Sequence, residues 1–156
     1  MKVVVADASP INYLILIDCI DVLHSLYGWV VIPTEVLDEL TADGAPAMVQ
    51  SWIRTRPDWI EVESAPEGTI LDLMLDAGEA AAIRLALAEP DCLLLIDELE
   101  GRNAASKLQI STTGTLGVLV EAARVGLIEL RSALENLQRT NFRVSQALIA
   151  QILTDC

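Results

Sequence analysis

A chain of 156 residues fits one domain, because domains of roughly 100 to 200 residues are the norm. Hydrophobic residues make up 53%, but no stretch approaches the ~18 uninterrupted apolar residues of a membrane span, and the nearest, Ile11 to Leu26, carries Asn12, Asp18, Asp21 and His24. The net charge of −13, from 23 acidic against 10 basic residues, argues against broad electrostatic attraction to nucleic acid, which relies on Lys and Arg meeting phosphates.

Lys2 to Ala6 is a short β-branched run with no in/out alternation, the pattern of a strand buried on both faces of a parallel sheet, and it ends at Asp7. Ser9-Pro10 then predicts a helix start, with Ser9 as N-cap and Pro10 in the first helical position, and the helix is expected to run to about Tyr27 and stop at Gly28. Trp29 to Ile32 reads as a second strand. Pro33-Thr34 opens a helix through Leu40, and Met48, Val49, Trp52 and Ile53 follow at helical spacing until Pro57.

Trp59 to Val62 is a third strand, with helical segments expected from Ile70 to Asp76 and from Glu79 to Ala88. Cys92 to Ile96 is the clearest strand and closes on Asp97-Glu98. Gly101 to Leu108 reads as helix, Ile110 to Thr113 as a last short strand, and Thr115 to Val125 as the helix after Gly114. The tail supplies helix at 131–137 and 144–153, where Val144, Leu148, Ile149 and Ile152 share one apolar face. Alternating strands and helices imply a three-layer α/β/α domain around a mainly parallel sheet of four to five strands. The expected organisation is one domain over 1–156, with the helices at about 131–154 packed on it.

Cys19, Cys92 and Cys156 lack the paired spacing of a zinc site, and reduced thiols in a cytoplasmic protein fit them best. Asp7 interrupts the hydrophobic start, and no basic region or small-residue cleavage site frames it, so a signal peptide is not expected.

In a parallel α/β sheet, ligands bind outside the carboxyl ends of the strands, where strand order reverses. Asp7 leaves the first strand at that end, and Asp97-Glu98 leave the fourth. Glu39 follows the second strand about a turn and a half into its helix, with Glu35 one turn earlier on the same face, and Glu79 begins the helix before the fourth strand. Acids from separate elements therefore have a route to one crevice. Each also has a plainer reading: Asp7 as a turn or cap residue, Glu39 as a solvated charge beside Glu35 and Asp38, and Glu79 as a favourable first-turn acid.

Close carboxylates repel unless a cation lies among them. Mg²⁺ or Mn²⁺ takes oxygen ligands, makes water more acidic and stabilises charge on a phosphodiester under attack, so no nucleophilic Ser or Cys is required. His24, expected deep in the first helix, is a poor general base. A receiver domain would need an acidic pair after the first strand and a Lys after the fifth, whereas here Asp7 stands alone and Lys107 falls in a helix. A dinucleotide-binding fold would need a Gly-rich turn where this chain has DASPIN. A phosphatase with an aspartyl nucleophile would want an acid at Ser9.

The opening VVVADASPINYL and the segment IPTEVLDEL resemble the PIN-domain family, which includes the VapC-like toxins of toxin-antitoxin pairs. LDAGEAAAIRLALAEPDCLLLIDELEGRNAA followed by TTGTLGVLVEAARVGLI resembles, more narrowly, a PIN-like branch that carries Gly-Glu, an acid pair, Gly-Arg and Gly-Thr-Leu-Gly in that order. The resemblance implies a metal-dependent endoribonuclease in which Asp7, Glu39, Glu79 and either Asp97 or Glu98 hold one or two divalent ions, with Ser9 hydrogen-bonding nearby. Glu98 stands where the family commonly has Asp. Arg102 and Thr113 also match the branch pattern, Arg102 as a phosphate contact or a surface ion-pair partner and Thr113 as a site residue or part of a helix cap with Gly114. RNA is the implied substrate and a small antitoxin the implied partner, while the apolar excess is compatible with a homodimer or a well-filled core. The alternative is a non-catalytic PIN-like module that binds a partner protein or RNA.

Overall fold

A computed structural model describes residues 2–68 and 74–155. Its sheet has the order β3-β2-β1-β4-β5, with every pairing parallel: β1 (Val3–Ala6), β2 (Val30–Pro33), β3 (Ile60–Glu63), β4 (Cys92–Leu95) and β5 (Ser111–Thr113). The chain builds outward from β1 through β2 to β3, then returns to place β4 on the other side of β1. Strand order therefore reverses between β1 and β4, where Ala6 stands opposite Leu95.

Residues of one strand divide between two cores. Val4, Ala6, Val30, Ile32 and Leu95 belong to one, and Val5, Val31, Leu94 and Ile96 to the other. Helices cover both faces, which is why these strands lack polar alternation. The first core is roofed by α1 (Ala8–Leu16), α2 (Val22–Tyr27), α7 (Thr115–Arg124) and α8 (Leu130–Gln138), with α3 (Thr34–Thr41) and α4 (Ala47–Arg54) beside them. The second is covered by α5 (Ala77–Leu87) and α6 (Leu99–Lys107). The last helix, α9 (Gln146–Asp155), joins the first core through Ile149. This is a three-layer α/β/α fold.

Three local expectations are corrected. The helix after β1 begins at Ala8 with Asp7 as its N-cap residue, so Ser9 lies inside the first turn rather than capping it. That helix is also not continuous to Tyr27. It ends with Asp18 in the left-handed region at φ 60°, where Cys19 N–H reaches the Leu14 carbonyl and Asp18 N–H the Ile15 carbonyl, a Schellman arrangement. Cys19 thus sits between two helices, and apolar Ile17, Ile20 and Leu23 stay buried across the break. His24, expected deep in the first helix, lies exposed on α2, where its ring stacks on Trp59 and its Nδ1 pairs with the Gly28 carbonyl. The helix expected from Ile70 falls largely on residues 69–73, outside the described residues, as does Cys156. Among the described residues no helix is long and apolar enough to cross a membrane.

Candidate active site

Asp7 extends the β1 ladder by one step, its N–H donating to the Leu95 carbonyl at 2.9 Å, and its side chain emerges at the switch point only 5% exposed. Burial pushes its carboxyl up to about 8 from an ordinary 3.8; the Ala8 N–H pulls it back, while Asp76, Glu79 and Glu39 push it further up. Four carboxylates from three elements thus share one electrostatic environment.

Glu79 is fixed by a reciprocal cap. Asp76, the N-cap residue of α5, accepts from Glu79 N–H at 2.8 Å, and Glu79 Oε1 accepts from Asp76 N–H at 3.1 Å. That leaves Glu79 Oε2 buried without a hydrogen-bond partner among the described residues. Burial again comes first in raising this carboxyl, to about 7; the Asp76 N–H opposes it, and the charges of Asp76 and Glu98 add to it. Glu39, exposed on α3, is raised by partial burial and then by Asp76.

Asp97 has a different task. Its Oδ2 accepts from Ser9 Oγ at 2.5 Å and from Thr115 Oγ1 at 2.8 Å, and its Oδ1 accepts from Thr115 N–H at 2.7 Å. The N-cap residue of α7 is Gly114, which brings no capping side chain, and Asp97 accepts the first helical N–H from just beyond the end of β4. The approach demands glycine: a Cβ on Gly114 would stand 2.7 Å from Asp97 Oδ1.

Of the other acids, Glu98 is the exposed N-cap residue of α6 and acts electrostatically on Glu79. Glu35 turns away, accepting from Thr34 Oγ1 and pairing with Arg84 at 3.5 Å. Arg102 is exposed on α6, and its guanidinium is in neither of the two ion pairs found among the described residues. Thr113 ends β5 with its Oγ1 beside Gly117; the hydroxyls on Asp97 belong to Ser9 and Thr115.

Two members were missed in the sequence. Asp76 was legible in principle, since Asp-x-x-Glu at 76–79 is a capping-box signature. Thr115 had no such signal, because its partner lies on another strand.

Oxygen donors, a buried Glu79 Oε2 with no partner and carboxyls driven toward their neutral forms suit a hard divalent cation in kind. Among the described residues no three acids stand within ligating reach of one point. Glu39 and Glu98, both exposed, are the side chains with room to turn inward.

A parallel α/β/α sheet with acids gathered where its strand order reverses carries them at the place where folds of this class bind their ligands. The family model DUF3368, described as a PIN domain, matches residues 3–156, and the chain belongs to that family. PIN domains are generally metal-dependent nucleases. No curated protein and no solved structure is significantly similar to the chain.

Proposed function

We propose that the protein is a metal-dependent ribonuclease that hydrolyses RNA phosphodiester bonds at the crevice between β1 and β4. The observation that carries this reading is Asp7, nearly inaccessible and surrounded by Asp76, Glu79 and Glu39, whose charges are compatible only if a cation or protons offset them. Asp7, Glu79 and Glu39 would hold Mg²⁺ or Mn²⁺, with Glu98 as the fourth acid. Asp97, whose two oxygens already accept three hydrogen bonds, orients Ser9 and the start of α7.

A bound divalent ion supplies Lewis acidity toward water and the phosphodiester. The chain's own part is positional. The Asp76–Glu79 box points Oε2 inward, and burial of Asp7 keeps bulk water from screening it. Glu98, exposed at the start of α6, would accept a proton from an attacking water.

Calorimetric titration with Mg²⁺ and Mn²⁺ tests the reading, together with cleavage of a mixed RNA pool. Binding and cleavage are expected, both lost in Asp7→Asn. If neither ion binds and RNA stays intact with both, the nuclease reading is wrong and a non-catalytic module that binds a partner remains.

On the same reading the protein is the cytoplasmic toxin of a toxin-antitoxin pair. The net charge of −13 and the exposed Glu39 and Glu98 suit neutralisation by a small antitoxin with a basic segment reaching into the crevice. Induced expression is expected to arrest growth, and Asp7→Asn to relieve the arrest; unaffected growth would remove the toxin assignment.

A further inference from the structure

A cavity of about 470 Å³ adjoins the carboxylates, between α1 and the segment that follows α3. Its size lies within the ~300–1,000 Å³ range of small-ligand sites. Ser9, Asn12 and Tyr13 line it from one face of α1, being three and four residues apart, and Pro46 closes the other side. Glu39 and Glu98 line it as well, so the cavity opens onto the acidic crevice.

Tyr13 links this cavity to a distant part of the chain. Its hydroxyl donates to Asn141 Oδ1 at 2.7 Å, and the ring of Phe142 meets it edge-on with centroids 4.9 Å apart. These contacts bring the segment between α8 and α9 to the rim of the cavity, with exposed Arg143 next in sequence. The charge of Arg143 is felt at the Tyr13 hydroxyl, where it opposes those of Asp97 and Glu98. Arg143 is in neither ion pair found among the described residues. In a chain of net charge −13, an exposed guanidinium on the segment that Asn141 and Phe142 hold against Tyr13 is where a phosphate meets a favourable field.

Resting on the nuclease reading, we propose that this cavity is the subsite for the nucleoside beside the scissile phosphate of a single-stranded RNA, with Arg143 holding the neighbouring phosphate. An amide and an aromatic ring lining one cavity, with a guanidinium on the segment held against that ring, are the groups that recognise an unstacked base and its backbone. Asn12 offers the base a donor and an acceptor. Tyr13 forms the wall, and its bond to Asn141 positions Arg143.

The test is binding of a labelled single-stranded oligoribonucleotide, followed by fluorescence anisotropy over a salt series, with Asp7→Asn as the parent so that the probe stays intact. Arg143→Ala is expected to weaken binding about tenfold and to lower the slope of log K against log salt by about 0.7, the value for one phosphate contact on a single strand. Asn12→Ala should alter the preference among homopolymers without changing that slope, and Tyr13→Phe should weaken binding less than Arg143→Ala. Arg124→Ala removes the same charge from α7 and is expected to leave both quantities unchanged. If Arg143→Ala binds like the parent, or only as weakly as Arg124→Ala, the subsite is overturned, while metal-dependent cleavage by the unmodified protein would keep the nuclease reading. If the unmodified protein neither binds nor cuts RNA, both fall.

Discussion

Ser9 Oγ donates to Asp97 Oδ2 at 2.5 Å across 88 positions of sequence, tying the helix after β1 to the acid after β4. The bond spans the place where strand order reverses, so the two central strands are locked together at the edge that carries the carboxylates. Thr115 completes the lock from α7.

Thr115→Val removes one hydrogen bond to a charged acceptor while keeping shape and the backbone N–H. A hydrogen bond to a charged group contributes about 1.5–3 kcal/mol, so urea denaturation should show a loss in that range. An unchanged midpoint would show that Asp97 does not depend on the hydroxyl.

Gly114→Ala places a methyl against Asp97 Oδ1, only 2.7 Å from an ideal Cβ. The backbone there has φ −106°, which any residue adopts, so the cost comes from the close approach alone. Destabilisation of about 1–3 kcal/mol is expected, as for overpacking elsewhere. Serine at the same position should be no better, since its Cβ is the offending atom.

Folded-state carboxyls at about 8 for Asp7 and about 7 for Glu79 lie above the ordinary 3.8 and 4.5. Between those limits the folded protein binds more protons than the unfolded chain, so its stability falls as pH rises from about 4.5 to about 8. Each group contributes a slope of up to about 1.4 kcal/mol per pH unit where its two states differ by a full proton. Thermal melts in EDTA across this range should therefore decline with pH. A melting temperature that climbs from pH 5 to 8 without metal would contradict the burial of these two acids.

Asp7→Asn separates stability from function. A neutral amide removes the charge that burial opposes, so above pH 8 and without metal the variant should melt at or above the temperature of the unmodified protein. At pH 5, where Asp7 already carries a proton, the two should be alike. With Mn²⁺ the order should reverse, because only the carboxylate gains from the ion. Differential scanning fluorimetry with and without Mn²⁺ reads all three comparisons.

The strands were legible because both faces of this sheet are covered: β1, β2 and β4 are apolar at nearly every position, bounded by Asp, Gly and Pro. The division of the helix after β1 was not. Asp18 turns the chain into a left-handed conformation usually signalled by glycine, and the apolar spacing carries on through Ile20 and Leu23 as if no break existed.

For the site, the sequence by itself determined that Asp7 and Asp97 leave their strands at the same edge, since parallel strands linked by helices place all their carboxyl ends together. It also placed carboxylates at that edge without a matching set of bases. Only the tertiary structure decided how those acids divide: Asp97 committed to Ser9 and Thr115, Glu35 turned toward Arg84, and Asp76 and Glu79 paired as a cap beside Asp7. The physical reason is that hydrogen-bond partners and burial depend on which elements meet across the sheet. The same dependence brings Asn141 and Phe142 to Tyr13 from 128 and 129 positions away, a juxtaposition that no local pattern encodes.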